Sequence, residues 1–281
     1  MYLNIKNHIN HMNNHIINIE DEYLLENIFN TSKPHLSKVI PLIIVFCYFF
    51  GIIFINDNLD QISPSVDNLY FGLISKYPNC DDNRYQIWRF VSSSLVHFNF
   101  SHLFGNLLIL FPLLYYFEIF YKSLNMILIL IIISFSSNFA FYFSFPYSYI
   151  IGCSHLVFGL FGFLLADYFL NKKYKDNIYL LQIMFSLLAL ILDLIFYFFK
   201  KGKNTGYIVH WAGYISGFLS SLLLLPDIKK KKYILKKRYF GLSIIVSIFL
   251  IAIYRLVSVW PPIVNDNCCY LLLTNQNTIN C

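Results

Sequence analysis

Long apolar runs alternate with short polar breaks along most of the chain. Seven runs, at about 39–56, 102–120, 124–145, 151–170, 178–199, 207–225 and 239–260, each approach the roughly 17–25 residues that a helix needs to cross a bilayer. The fourth becomes the shortest once Ser154 is taken as its start. Only Tyr121-Lys122-Ser123 separates the second run from the third, which predicts a tight hairpin between two spanning helices. The stretch from about 57 to 101 is long and carries prolines, acids and an aromatic tail at Trp88 and Phe90, so partial embedding at the membrane interface is expected. Residues 1–38 are rich in Asn and His and are expected to be disordered.

Composition supports this reading. Of 281 residues, 57% are hydrophobic and only 13% charged, where a soluble protein carries about 25% charged residues. The excess of Asn, Ile, Lys, Tyr and Phe matches the coding bias of an AT-rich genome and inflates hydrophobicity, so the spans rest on length rather than on composition. The expected fold is an all-α, multi-pass integral membrane protein in a lipid bilayer. Four segments are expected: a cytosolic N-terminal segment 1–38, a six-helix unit 39–225, a basic loop and seventh helix 226–260, and a non-cytosolic tail 261–281.

Basic residues set the expected orientation. With the N-terminus in the cytosol, 14 of the 21 Lys and Arg fall on cytosolic segments, seven of them between Lys229 and Arg238. That is the bias of the positive-inside rule, although Lys200, Lys201 and Lys203 run against it. Under this topology Cys80, Cys268, Cys269 and Cys281 lie on the side where disulfides persist. Adjacent Cys268 and Cys269 do not easily pair with each other, which leaves Cys80 and one of them as a candidate pair. Cys47 and Cys153 are expected to be buried and inert. The N-terminus lacks the early apolar run of a signal peptide, and its acids (Glu20, Asp21, Glu22, Glu26) argue against a mitochondrial transit peptide.

Polar and ionisable residues at membrane depth are costly and mark functional sites by default. Here they form three clusters: His97, His102 and Asn106; Gly152, Ser154 and His155; and His210 with Gly213. Ser154 opens the fourth run, where free backbone N–H groups and the helix dipole favour a developing negative charge. Serine needs a neighbouring base to become a nucleophile, and His210, opening the sixth run at similar depth, is the natural one. Taken alone, Ser154 reads more readily as a helix cap. His102 and Asn106, four residues apart, share a helix face and suit an oxyanion hole completed by the Ser154 N–H. His97 lies in the preceding loop and either joins them or ties loop to helix. Gly213 and Gly217 follow His210 at helical spacing, and Gly162 follows Ser154, so the two helices can approach closely. Phe158, one turn after Ser154, is placed to stack on the His210 ring. Convergence of the histidines on a metal is the other chemistry to consider, but no paired Cys or HExxH spacing supports it. No metal, cofactor or nucleic-acid partner is expected.

Together these residues resemble the rhomboid intramembrane serine proteases. The resemblance runs through Gln86, Trp88 and Arg89, then His97, His102 and Asn106, then Gly152-x-Ser154, then His210, Gly213 and Gly217, with Glu118 at a recurrent acidic position. It implies a rhomboid-like six-helix core plus one C-terminal transmembrane helix, in the arrangement of the eukaryotic secretory-pathway members. It further implies Ser154 as nucleophile, His210 as base, and His102 and Asn106 as oxyanion donors. Trp88 and Arg89 would be structural residues of the first loop, and single-pass transmembrane proteins the substrates. The location implied is the secretory pathway or plasma membrane. The alternatives are a catalytically silent relative that binds membrane clients, and a polar-lined transporter or channel; a transporter would more often show interrupted repeats, and no convincing internal duplication is found.

Two positions depart from the family pattern. His155 stands where a second glycine is usual, and either narrows the oxyanion hole or adds a donor. Adjacent helix residues point about 100° apart, so His155 is not expected to serve as the base, and its replacement by glycine is expected to keep or raise activity. Phe158 replaces a frequent tyrosine. Asp193, an acid within the fifth run, raises a Ser–His–Asp arrangement. The resemblance implies a dyad without it, and its expected depth is below that of His210, so a structural hydrogen bond within the bundle, or a fifth span that starts later along the chain, is expected.

Overall fold

The computed structural model describes residues 34–54, 73–74, 86–144, 149–171, 177–199 and 206–225, with scattered positions between 239 and 250. Six of its helices are long and apolar enough to cross a membrane: α1 (Leu36–Phe54), α3 (Phe100–Phe120), α4 (Ser123–Ser144), α5 (Ser154–Asn171), α6 (Asn177–Phe199) and α7 (Gly206–Leu224). A short α2 (Arg89–Ser92) and a 3₁₀ turn, Ser93–Leu95, precede α3. Two-residue strands β1 (Leu73–Ile74) and β2 (Tyr149–Ile150) pair antiparallel, Leu73 opposite Ile150. The chain is therefore an all-α, multi-pass membrane protein with one small ribbon. Within the expected seventh run only Tyr239, Gly241, Ser243, Val246, Ser247 and Leu250 are described, all helical. Of the residues 1–38 expected to be disordered, 34–38 are described and Leu36–Lys38 are helical, while residues 1–33, the Lys229–Arg238 loop and the cysteines at 80, 268, 269 and 281 lie outside the described residues.

Helix α1 starts at Leu36, three residues before the expected span, and a side chain from another helix explains why. The first N–H groups of a helix have no partner within it. Here the Glu118 carboxylate, from the far end of α3, accepts from the backbone N–H of His35 at 2.9 Å, Leu36 at 2.7 Å and Ser37 at 2.9 Å. Ser123, opening α4, donates to the same carboxylate at 3.0 Å. One acid thus caps α1 and fixes the α3–α4 hairpin.

Helix α5 is the most buried of the six spans and packs along α7, which in turn packs along α4. Lipid tails are as apolar as leucine, so close packing rather than the hydrophobic effect holds such helices together. Glycine makes the packing possible. A Cβ at Gly213 would come within 2.6 Å of the His155 carbonyl oxygen, and one at Gly217 would overlap the Gly159 carbonyl. Gly162 lies in the same way under the Tyr214 carbonyl. The core around this pair includes Leu110, Phe117, Met126, Ile129, Ile133, Leu160 and Phe163, all fully buried.

A second polar cluster closes the end of the bundle away from Ser154. The Asp167 carboxylate of α5 is fully buried and accepts from the Tyr121 hydroxyl, from Asn171 Nδ2 at 2.8 Å and from the Tyr179 hydroxyl at 2.7 Å. Both of its oxygens are satisfied, as a buried acid requires. Helix α6 is the least buried of the six spans and sets only Tyr179, Ile183 and Ser186 fully into the bundle.

Candidate active site

The turn before α5 is bolted to the segment that precedes α3. Gly152 N–H donates to the Ser93 carbonyl at 3.0 Å, and Cys153 N–H donates to His97 Nε2 at 3.3 Å. That segment is itself held by α4. Asn138 Nδ2 donates to the Phe90 carbonyl at 2.6 Å and to Ser93 Oγ at 2.9 Å, and Ser134 Oγ donates to the same carbonyl at 2.8 Å. Ser154, the first residue of α5, is thus presented from a turn whose backbone is fixed on both sides.

Gly152 adopts φ 109°, a left-handed conformation that L side chains rarely take. It also packs flat against His102, where a Cβ would fall 2.7 Å from Cε1 of the ring. Both constraints demand glycine. They also set the His102 ring directly beside the turn that carries Ser154.

Across this turn, His210 Nε2 lies 2.9 Å from Ser154 Oγ. The His210 and Phe158 rings stack with centroids 4.3 Å apart and planes 7° from parallel. The other ring nitrogen, Nδ1, lies 3.0 Å from Asp193 Oδ1. The His210 side chain keeps 20% of its surface exposed against 10% for Asp193, so the acid is the more enclosed of the two.

On α3, His102 and Asn106 share a face as expected. His102 Nδ1 and Asn106 Nδ2 are buried and have no hydrogen-bond partner among the described residues. Unpaired buried donors are costly, and an anionic oxygen bound between them is the chemistry that would satisfy them. His97 does not join this face. Its ring stands 5.3 Å from that of His102, with Nε2 turned to the Cys153 N–H and to Cys153 Sγ at 3.4 Å. Burial, reinforced by His102, pushes the His97 imidazole down to about 3, which keeps the ring neutral and able to accept the Cys153 N–H.

The remaining expected residues fall as follows. Arg89 is buried, with Nε donating to Gln86 Oε1 at 2.5 Å, while Trp88 is exposed at the start of α2. Gly213 and Gly217 form the α5–α7 contact that brings His210 to Ser154. His155 points away from the serine hydroxyl. Its Nε2 lies 3.0 Å from Ser94 Oγ and 3.2 Å from Ser134 Oγ, in a fully buried pocket. Neither open reading of this residue, a narrowed hole or an added donor, describes that placement. Cys153 is buried and Cys47 partly so, both as free thiols. Among the described residues no group of histidines, cysteines and acids could hold a metal ion.

Sequence reasoning missed two features of the site. Asp193 was expected to lie deeper than His210. It sits six residues from the end of α6, and His210 is the fifth residue of α7, so the two are level at the same end of the bundle. Counting from the 200–205 loop, rather than from the start of the run, would have found this. The Ser94–Ser134–Asn138 anchor was not foreseen, because lone serines in apolar runs carry no distinctive spacing.

A multi-pass helical membrane bundle, with a serine opening one helix and a histidine from another on its hydroxyl, is the class these features define. Residues 84–227 match the Rhomboid domain, just over half of the chain, and the chain belongs to the rhomboid family, whose members are generally intramembrane serine proteases. No curated protein matches it.

Proposed function

We propose that this chain is an intramembrane serine endopeptidase that cleaves single-pass transmembrane proteins within or near the non-cytosolic end of their membrane helix. The observation that carries the reading is the 2.9 Å contact between His210 Nε2 and Ser154 Oγ. Ser154 Oγ attacks the scissile carbonyl carbon as its proton passes to His210 Nε2. The oxyanion is received by His102, Asn106 and the Ser154 N–H, whose dipoles are worth more in a water-poor site. The C–N bond then breaks as His210 returns the proton to the leaving amine, leaving an ester on Ser154. Water, activated by His210, hydrolyses that ester. The chemistry needs no cofactor. The substrate helix must unwind locally, because a paired helical carbonyl is shielded from attack.

The proposed organisation is a six-helix core that opens at Leu36 and runs to 225, followed by a basic loop and a seventh helix over 226–260. The N-terminal segment before Leu36 is cytosolic, the tail 261–281 non-cytosolic, and the membrane one of the secretory pathway or the cell surface. The bias of Lys and Arg supports this orientation.

The test uses full-length protein reconstituted into liposomes with a fluorescent single-pass transmembrane reporter. Wild type is expected to cleave the reporter and to react with a fluorophosphonate, while Ser154→Ala does neither and keeps its thermal midpoint. Cleavage at an undiminished rate by purified Ser154→Ala refutes the assignment.

A further inference from the structure

We propose that Asp193 is a positioning residue for His210, so that the serine–histidine pair works as a three-residue line whose acid comes from α6. The proposal deepens the proteolytic reading and rests on it. The geometry is the starting point: His210 lies between two partners, Ser154 Oγ at 2.9 Å from Nε2 and Asp193 Oδ1 at 3.0 Å from Nδ1. A neutral imidazole carries one donor and one acceptor nitrogen, and an ionised carboxylate only accepts. Asp193 therefore selects the ring form with hydrogen on Nδ1, which leaves the Nε2 lone pair facing the serine hydroxyl. That is the only neutral form able to take the serine proton. When it does, the proton moves from Ser154 Oγ to Nε2, the Nδ1 hydrogen stays in place, and the carboxylate remains ionised beside the imidazolium.

Three further observations separate this role from ordinary bundle packing. First, Asp193 is the sole charged residue in Asn177–Phe199, amid the exposed apolar residues Ile191, Leu192, Leu194, Ile195 and Phe196. An acid there is costly and calls for a compensating function. Second, its Oδ2 is buried with no hydrogen-bond partner among the described residues. A structural acid of this bundle, Asp167, has donors on both oxygens. Asp193 is committed to His210 through one oxygen alone. Third, Tyr197, one turn further along α6, packs edge-on against Tyr207 and Trp211 with centroids 5.7 and 5.6 Å apart. Residues one turn apart share a face, so the Asp193–Tyr197 face meets the α7 face that carries His210. Because α6 is the least buried span, the seating of this helix controls whether the base is correctly oriented.

The experiment compares wild type, Asp193→Leu, Asp193→Asn and Ser154→Ala as full chains in liposomes. Readouts are kcat and KM on the transmembrane reporter, the thermal midpoint, and ¹⁵N NMR of His210, assigned by difference with His210→Ala. Asp193→Leu is expected to lower kcat by up to about 10⁴-fold, the loss seen when the orienting acid of a triad is replaced. Its KM should stay within about twofold, since the change does not alter uniform substrate binding. Its thermal midpoint should hold or rise, because an acid leaves an apolar helix, and the NMR should show hydrogen shifting from Nδ1 to Nε2. Asp193→Asn, whose amide can turn an N–H towards Nδ1 and so hold the ring hydrogen on Nε2, should lose kcat to a similar extent. Wild-type kcat in Asp193→Leu, with Ser154→Ala inactive, overturns the proposal and leaves the serine assignment standing. So does a fall in thermal midpoint that accounts for the lost activity, which would make the role structural. If wild type and Ser154→Ala cleave alike, the serine assignment fails, and the NMR of Asp193→Leu alone decides the positioning role: an unchanged Nδ1–H signal overturns it.

Discussion

The Ser94 hydroxyl and the His155 imidazole, 61 residues apart in sequence, meet at 3.0 Å on a buried side of α5, about 100° around the helix from Ser154. Ser134 completes the contact from α4 at 3.2 Å. His155 thereby links the loop before α3, the α4 helix and the helix that carries the nucleophile. Where the family usually has glycine, this chain has a buried polar joint.

His155→Gly is accordingly expected to destabilise the protein. It removes a ring from a packed site, leaves Ser94 and Ser134 without that partner, and adds a flexible residue to the first turn of α5. Cavity formation with loss of a buried hydrogen bond costs about 3–5 kcal/mol. The thermal midpoint in detergent measures the loss, and an unchanged midpoint would show the joint to be dispensable.

Phe158→Ala removes the ring stacked on His210. Such contacts contribute about 0.5–1.5 kcal/mol, so kcat should fall by roughly 3–10-fold, while Phe158→Tyr, which keeps the ring, should stay near wild type. Reporter cleavage under saturating substrate measures both. Equal activity in the alanine and tyrosine variants would mean the stack does not orient the base.

Glu118→Ala should loosen the start of α1 without touching the site. It removes the acceptor of three backbone N–H groups, a loss of about 1–3 kcal/mol for buried charge-assisted bonds. Amide hydrogen exchange at residues 35–40 should rise, while serine labelling per folded molecule holds. Exchange as slow as in wild type would assign the cap elsewhere.

Much of this architecture was legible in the chain because membrane helices announce themselves by length. The observed helices α3, α4, α6 and α7 fall within two residues of the expected runs at both ends. The His210–Phe158 stack and the glycine contact were readable for a related reason: helical spacing fixes which residues share a face. What escaped depends on contacts between distant segments. The start of α1 is set by Glu118, 81 residues beyond Ser37, and no local pattern around residue 36 records it. The Asp193 partner was misjudged because depth was counted from the wrong end of the helix. His155 was read against a family pattern in which the position is small, and the pocket formed by Ser94 and Ser134 is invisible until the bundle is assembled.

Gly152→Ala tests how tightly the oxyanion side of the site is built. Alanine must adopt φ 109° and place its methyl 2.7 Å from His102 Cε1. The left-handed backbone costs an L residue about 1–2 kcal/mol, and the clash adds to it or displaces the ring. If His102 supplies an oxyanion donor, displacing it should lower kcat by about 10²–10³-fold, the usual loss for one such donor. A double-mutant cycle separates the two effects. In a His102→Ala background the methyl has room, so Gly152→Ala should cause little further loss of kcat, whereas the backbone penalty on the thermal midpoint should persist. Residues in contact show such coupling, and independent ones do not. Additive effects on kcat would mean that Gly152 and His102 act separately, and would remove the argument that the turn was built around the ring.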